Sequence, residues 1–207
     1  MSDQTPHIEP MWSATGSLCP EYFETLYGAN ADPWEFASSP YEAAKYAATL
    51  SVLPRTLYAN ALELGCSIGV LTHSLAARCA RLLATDVAET ALSQARVRCA
   101  ELPQVVFERR DLITEFPAGR FDLILVSEVG YYLSQVDLDR LRAAIASALL
   151  PGGDLLLVHY TGDTNYPLTA DAVHETFLAW EGRAWHRAAA EQTQRYRIDL
   201  LTRLTDE

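Results

Sequence analysis

Two carboxylates and a glycine-rich turn are the residues of this chain whose spacing points most directly to chemistry. Glu63 lies near the end of a short apolar run, Gly65 and Gly69 follow it, and Asp86 ends the next apolar run. Glycines let the backbone approach a ligand closely. A carboxylate at a strand end can accept hydrogen bonds from both hydroxyls of a ribose. The spacing therefore predicts half of a nucleotide-binding site.

The order of these residues disfavours a dinucleotide as the ligand. A dinucleotide fingerprint has the form Gly-x-Gly-x-x-Gly and places a helix N-terminus against a pyrophosphate. Here the order is Glu63-x-Gly65-x-Ser67-x-Gly69. An acidic residue ahead of the glycines would repel a pyrophosphate, whereas it suits a ligand that carries an amine or a sulfonium. A NAD-dependent oxidoreductase is thus a disfavoured alternative.

The elements that position these residues follow from the hydrophobic pattern. Apolar runs alternate with stretches of helical spacing, which predicts crossover connections and a mainly parallel sheet. Predicted strands cover 60–64, 81–86, 104–109, 120–127 and 153–160, and two terminal strands cover 184–190 and 194–203. Predicted helices cover 69–78, 88–101, 136–149 and 169–181.

The chain is predicted to form a single α/β domain preceded by an arm. Residues 1–19 are expected to be a flexible N-terminal arm. Helices at 20–27 and 40–51, each opened by a proline, are expected to form a helical lid over 20–58. Residues 59–207 then form the core. No internal repeat or second domain is visible in the sequence.

Ligands of open α/β sheets bind beyond the carboxyl ends of the strands, so polar residues at those ends are site candidates. Glu128 follows the fourth strand and could stabilise a cationic amine, receive its proton, or interact with backbone N–H groups at a helix start. His159 ends the fifth strand and could act as a general base, because its ordinary pKa is about 6.5. Alternatively, it could hydrogen-bond the backbone in a turn. Tyr131 and Tyr132 could face a sulfonium by cation–π attraction.

The glycine-rich turn resembles motif I of the class I S-adenosylmethionine (SAM) methyltransferases, with Ser67 where the middle glycine usually lies. This resemblance implies a Rossmann-like fold with a seven-stranded, mainly parallel sheet and an antiparallel C-terminal strand. It also implies SAM as the cofactor and S-adenosylhomocysteine (SAH) as the product. The cofactor-binding residues it predicts are Glu63, Gly65, Cys66, Ser67, Gly69, Asp86, Val87, Asp111, Leu112, Ser127, Glu128 and Tyr132, with Asp111 and Leu112 at the adenine.

A closer resemblance extends over almost the whole chain. Asp32-Pro33-Trp34, Ser39-Pro40-Tyr41-Glu42 and Lys45-Tyr46 resemble the nodulation protein S family of methyltransferases, as do Leu64-Gly65-Cys66 and the segment 127–133. That family is associated with N-methylation of the free amine of a deacetylated glucosamine on a chitin-oligosaccharide precursor. The resemblance therefore implies a small-molecule acceptor that carries an amine, with an amino sugar as one candidate.

Two sets of residues complete the predicted site. The predicted catalytic residues are His159, Glu128 and Tyr131, and the predicted substrate or lid residues are Trp34, Tyr41, Tyr46 and Tyr160. The sequence leaves open O-methylation of a sugar or another small metabolite, because one base would serve either reaction. A noncatalytic SAM-binding module is a third alternative, disfavoured by the carboxylate and aromatic residues expected near the methyl group.

Composition excludes several other classes. The chain has 207 residues, of which 49% are hydrophobic and 21% charged, and its net charge is −11. An acidic balance argues against nucleic-acid binding, and no apolar run reaches the ~18 residues of a membrane span. The four cysteines lack metal-like spacing, so we expect no metal site and reduced thiols in the cytoplasm. The N-terminus lacks the pattern of a secretory signal, and the oligomeric state stays open.

Overall fold

The computed structural model describes residues 8–205 and contains there one seven-stranded sheet with the strand order β3-β2-β1-β4-β5-β7-β6. Strands β1 to β5 are parallel, whereas β7 runs antiparallel to both β5 and β6. The strands are β1 (Ala61–Leu64), β2 (Leu82–Asp86), β3 (Val105–Arg109), β4 (Phe121–Ser127), β5 (Leu149–Tyr160), β6 (Trp185–Gln192) and β7 (Tyr196–Arg203). The predicted Rossmann-like fold with an antiparallel C-terminal strand is confirmed.

Helices connect the strands and cover both faces of the sheet. They are α1 (Pro20–Ala29), α2 (Pro40–Ser51), α3 (Val70–Leu75), α4 (Glu89–Arg98), α5 (Gln135–Ala148) and α6 (Ala170–Leu178). Side chains at three N-caps, Ser39, Ser134 and Thr169, accept the backbone N–H three residues on, which satisfies donors that a helix start leaves free. Every residue of β1 and β4 is buried, as expected for central strands of a parallel sheet.

Strand β5 differs most from its predicted bounds. It begins at Leu149, whereas the sequence pattern predicts residue 153, because Pro151-Gly152-Gly153 has the composition of a turn. Leu149 pairs with Phe121, and the register then shifts before Leu123 pairs with Asp154. The turn residues are thus absorbed into the strand as an irregularity, a feature that apolar periodicity does not encode.

Part of the predicted flexible arm packs on the domain. Residues 1–7 lie outside the described residues, but Trp12 and Leu18 pair as an antiparallel bridge. The Leu18 N–H donates to the Tyr132 carbonyl at 2.9 Å, and the Ser17 hydroxyl donates to Asp137 at 2.6 Å. The division of the chain into arm, lid and core stays a prediction.

Strands β1, β2 and β4 end at one edge of the sheet, and the candidate site lies beyond that edge. Helices α1 and α2 precede β1 in the chain, and aromatic residues of α1 and of the α1–α2 connection lie over this edge. Among the helices of residues 8–205, none has the length and apolarity that crossing a bilayer requires.

Candidate active site

The glycine-rich turn takes the left-handed backbone conformation at three positions. Gly65, Ser67 and Gly69 have φ values of +73°, +53° and +77°. A Cβ at Gly65 would lie 2.4 Å from Val129, and one at Gly69 would lie 2.9 Å from the Ala95 side chain. Glycine is therefore required at the first and last positions by close approach. At Ser67 the backbone conformation explains why a glycine is usual there.

Asp86 organises this turn. Its two carboxylate oxygens accept the backbone N–H groups of Ser67, at 2.8 Å, and Ala88, at 2.9 Å. The carboxyl is buried, and burial raises its pKa above the ordinary value. Two carboxylate oxygens have about four acceptor positions, so acceptor capacity remains for a ligand even with the further backbone hydrogen bond from Val87.

Glu63 is a buried carboxyl with an unfilled acceptor. Its Oε2 atom has no hydrogen-bond partner within residues 8–205. Burial raises the pKa of Glu63 to about 8. Such a group is costly in an empty site, and a cationic ligand that binds the carboxylate form would remove the cost. Glu63 lines a small recess together with Tyr46 and Cys66.

A cavity of about 320 Å³ joins most of the predicted cofactor residues. Its walls include Gly65, Ser67, Asp86, Val87, Asp111, Leu112, Ser127, Glu128 and Tyr132, and Trp34 lies in the same wall. The recess that holds Glu63 shares Gly65, Ser67, Ser127 and Glu128 with it. Asp111 closes its own turn by accepting the Ile113 N–H at 2.9 Å. The C-terminal ends of β1, β2 and β4 thus contribute to one space.

Aromatic side chains that sequence reasoning did not assign form another wall of the cavity. Phe23, Tyr27 and Phe36 line it beside Trp34. The Trp34 ring stacks on Phe36, with centroids 5.4 Å apart, and meets Tyr27 edge-on at 5.7 Å. The Tyr27 hydroxyl also lies 2.5 Å from the Ser67 hydroxyl. The helical spacing of α1 gives no reason to choose these aromatics over core residues, so the sequence carries no clear signal for them.

Glu128 lies at the junction of the cavity and the recess and is held by three groups. Its Oε1 accepts from Lys45 Nζ at 2.5 Å. Its Oε2 accepts from the Tyr131 hydroxyl and, at 3.0 Å, from the Tyr160 N–H. Glu128 has a φ of +57°, a left-handed conformation that is unusual for a residue with a side chain.

Lys45 is a functional candidate that the sequence analysis did not assign. It is the only lysine of the chain, yet it is 1% exposed and pairs with both Glu42, at 2.9 Å, and Glu128. Burial lowers the pKa of this amine, but Glu128 and Glu42 outweigh burial and leave it raised. A single lysine three residues after a glutamate on a predicted helix was the available signal.

His159 does not have the surroundings of a general base. Its Nε2 accepts the Gly130 N–H at 3.1 Å, and its Nδ1 lies 3.1 Å from His174 Nε2. The ring is fully buried, and burial, with His174 and Lys45 nearby, lowers its pKa well below the ordinary value. With both ring nitrogens hydrogen-bonded inside the protein, the alternative interpretation, a histidine that binds backbone, describes its geometry.

The remaining predicted residues have other contacts. Gly69 packs against α4, and Tyr131 stacks on Tyr166 and hydrogen-bonds Glu128. The Tyr41 hydroxyl donates to the Arg195 carbonyl at 3.1 Å, so Tyr41 holds the turn between β6 and β7. Tyr160 contributes its backbone N–H to Glu128 while its ring covers Gly162.

Among residues 8–205, no group of three or more His, Cys, Asp or Glu side chains could hold a metal ion.

The residues of this site lie in the part of the chain that matches a known protein family. The model of the nodulation protein S (NodS) family matches residues 26–158, which hold the glycine-rich turn, Asp86 and Glu128. The chain belongs to the nodulation protein S family. NodS relatives from Rhizobium tropici and Bradyrhizobium diazoefficiens are each 36% identical to it over 129 residues, 60% of this chain. The chain spans 53% and 61% of the length of these two relatives.

Solved structures agree with the family assignment. The chain is similar to the NodS N-methyltransferase from Bradyrhizobium japonicum in complex with SAH, with a TM-score of 0.74 and 25% identity over 84% of this chain and 93% of that one. It is also similar to a candidate methyltransferase from Pseudomonas syringae, with a TM-score of 0.67 and 40% identity over 79% of this chain and 99% of that one.

Proposed function

We propose that this NodS-family chain is a SAM-dependent methyltransferase that methylates an amine on a small acceptor. The observation that carries the proposal is the continuity of the cavity. The turn of Gly65 and Ser67, the Asp86 carboxylate and the Glu128 carboxylate line one space. The similar NodS structure was crystallised with SAH, which supports the choice of cofactor.

The residues present fit SAM. The open acceptor of Glu63 suits the ammonium of the methionine part, and the free acceptor positions of Asp86 suit the two ribose hydroxyls. Asp111 and Leu112 would hold the adenine. When bound, the cofactor supplies an electrophilic methyl group on a sulfonium. The chain's own contribution is to hold both reactants in line and to exclude water.

Glu128 would orient the acceptor. Its Oε2 accepts two hydrogen bonds and its Oε1 accepts one, so one acceptor position remains on Oε1. An amine that donates an N–H to this position keeps its lone pair free for the methyl carbon. Two carboxyl groups, those of Glu42 and Glu128, contact the single Lys45 amine, and this excess of acidic groups favours an acceptor that arrives as a cation. The acceptor must lose a proton before it attacks, and we assign Glu128, which lines the cavity, to receive that proton.

An amino sugar with a free amine is the acceptor class we propose, as the family resemblance implies. Trp34 and Tyr46 lie in the walls of the cavity and of its recess. Aromatic faces of this kind suit the apolar face of a sugar ring. This part of the proposal rests on their position beside Glu128.

Calorimetry tests the cofactor and the acceptor in sequence. SAH is titrated into the protein, and glucosamine, deacetylated chitin oligomers and their N-acetylated counterparts are then added to the saturated complex. We expect SAH binding in the micromolar range and a second heat from the free amines alone. Methyl transfer from SAM should likewise occur to the free amines and not to the N-acetylated sugars. Equal transfer to the N-acetylated sugars would contradict an amine acceptor, and absence of SAH binding would contradict the cofactor.

A matched pair of variants tests the role of Glu128. Glu128→Gln keeps the size and the backbone conformation but removes the negative charge. We expect SAH affinity to stay within about threefold and kcat to fall about a hundredfold, a size typical of lost orientation. The control is Glu108→Gln, which changes a partly exposed carboxylate paired with Arg110 and should alter neither value. An unchanged kcat in Glu128→Gln would contradict the proposed role.

A further inference from the structure

A chain of hydrogen bonds crosses the interior behind Glu128. It runs from the Gly130 N–H to His159, from His159 to His174 at 3.1 Å, and from His174 Nδ1 to Asp199 Oδ2 at 2.6 Å. The four members belong to the segment after β4, to β5, to α6 and to β7. His159, His174 and Asp199 are each 0% exposed. The chain is thus a long-range connection between four elements and is shielded from water.

The two ends of the hydrogen-bond chain, the Gly130 N–H and the Asp199 carboxylate, fix the direction of every hydrogen bond between them. A backbone N–H can only donate, so His159 Nε2 must be the bare, accepting nitrogen. The proton of neutral His159 therefore lies on Nδ1 and is donated to His174 Nε2. The proton of His174 then lies on Nδ1 and is donated to the Asp199 carboxylate. Both histidines satisfy all their partners in one tautomer, Nδ1–H, without a positive charge.

At the Asp199 end of the hydrogen-bond chain, two arginines hold the carboxylate. Asp199 Oδ2 also accepts from Arg197 Nε at 2.9 Å, and Asp199 Oδ1 accepts from Arg187 Nε at 2.5 Å. Burial alone would raise the pKa of Asp199, but His174, Arg187 and Arg197 lower it below the ordinary value. The carboxylate therefore stays an acceptor for His174. Arg197 is held in turn by Asp171 and Glu175.

The Gly130 end of the hydrogen-bond chain holds the segment 128–130, whose backbone conformation is strained. Glu128 has the left-handed φ of +57°, and Gly130 lies so close to His159 that an added Cβ would be 3.0 Å from its Nε2. The Glu128 N–H donates to the Val158 carbonyl at 2.9 Å, and the Gly130 N–H donates to His159. These two hydrogen bonds bracket the strained residue and tie the segment to β5.

We infer that His159 is a positioning residue, which holds Gly130 and thereby aims the Glu128 carboxylate at the acceptor, and that His174 and Asp199 act by fixing its tautomer. The expected effect of His159 on turnover rests on the proposed function. The hydrogen-bond chain itself is independent of that function. Protonation of His159 would place two donors against each other at Gly130 and break the chain. The charged and titratable groups that act on the two histidines are Lys45, Tyr131, Asp171, Arg197 and Asp199. Arg187 and Glu175 lie one step further out, paired with Asp199 and Arg197 respectively.

Nitrogen-15 NMR of histidine-labelled wild-type protein tests the chain without any acceptor. We expect His159 and His174 to show the neutral Nδ1–H tautomer at pH 7 and to remain neutral at pH 6. Residue assignment comes from the variants His159→Gln and His174→Gln. An Nε2–H tautomer or a charged ring at His159 would overturn the inference, whether or not the protein transfers methyl groups.

Two substitutions then test positioning. His159→Gln can place an amide oxygen where Nε2 lies, whereas His159→Leu removes the acceptor. We expect His159→Leu to speed amide exchange at Gly130 at least tenfold and to lower kcat at least tenfold, with SAH affinity within threefold. His159→Gln should restore most of both values. Amides of β2 serve as the internal control. Equal exchange and equal kcat in the two variants would overturn the positioning role, and a change in exchange without any turnover in wild type would count against the proposed function alone.

Discussion

The half of the cavity that we propose for the cofactor is formed by residues that lie close together in the sequence, whereas the half that we propose for the acceptor is formed by side chains from distant parts of the sequence. In the first, Gly65 and Ser67 in the turn after β1 and Asp86 at the end of β2 lie within 22 residues. In the second, Lys45 and Glu128 are separated by 83 positions. A half built from neighbouring elements depends first on the backbone conformation of the glycine-rich turn. Side-chain sites depend on burial and on charge balance.

The largest effect is expected where the backbone itself forms the site. Gly65→Ala would force a side chain into a left-handed conformation and place its Cβ 2.4 Å from Val129. We expect SAH binding to become too weak to measure by calorimetry. Gly182→Ala is the matched control, since Gly182 has the same φ of +73° and nothing within 4 Å of an added Cβ. Both variants should lose about 1–2 kcal/mol of stability from the backbone, and retained SAH binding in Gly65→Ala would break the comparison.

Loss of Lys45 from the proposed acceptor half should act mainly on stability. Lys45→Met leaves the buried Glu42 and the partly buried Glu128 without their cation, and breaking a buried pair typically costs about 3–5 kcal/mol. Denaturant unfolding measures this loss. The control is Arg96→Met, whose ion pair with Glu89 has the same 2.5 Å separation but is about half exposed, so that about 0–1 kcal/mol is expected. Similar losses in the two variants would show that burial does not set the strength of the Lys45 pair.

Asp86 tests whether the cofactor half binds a ribose. Asp86→Asn turns one acceptor into a donor, and a hydrogen bond to a charged group is worth about 1.5–3 kcal/mol, so we expect SAH affinity to fall about tenfold or more. Asp122→Asn is the matched control. Asp122 also accepts two backbone N–H groups, those of Ala59 and Asn60, each at 2.8 Å, but at the start of β4. An equal loss of SAH affinity in both variants would place the ribose elsewhere.

The prediction that sharpens the account of Glu63 concerns the pH dependence of stability. The folded-state pKa of about 8 lies above the ordinary value of 4.5, so the folded protein binds more protons between these values. The free energy of unfolding without ligand should therefore fall as pH rises from about 4.5 to about 8, by up to about 1.4 kcal/mol per pH unit from this group. Glu63→Gln should remove that part of the slope.

Calorimetry of SAH binding in buffers of different ionisation enthalpy gives the second measurement on Glu63. If the ligand ammonium binds the carboxylate form, binding near pH 7 should release protons in wild type and release fewer in Glu63→Gln. Identical pH slopes and identical proton release in the two proteins would show that Glu63 is already ionised in the folded state.

The sequence by itself determined the fold class and the cofactor half, for a physical reason. The glycines, the acidic strand ends and the alternation of strands and helices are local patterns, and parallel strands must bring their carboxyl ends to one edge. The positions of Gly65, Ser67, Asp86 and Glu128 beside one cavity follow from that rule.

Only the tertiary structure decided the acceptor half. Nothing in the sequence pairs Lys45 with Glu128, and the same strand-end position that made His159 a candidate base also puts it next to the Gly130 N–H, His174 and, through His174, Asp199. Whether a strand-end histidine faces a substrate or the interior depends on which partners other elements bring to its two nitrogens. Those partners come from α6 and β7, far along the chain, and burial among them fixes the charge, tautomer and accessibility of the ring.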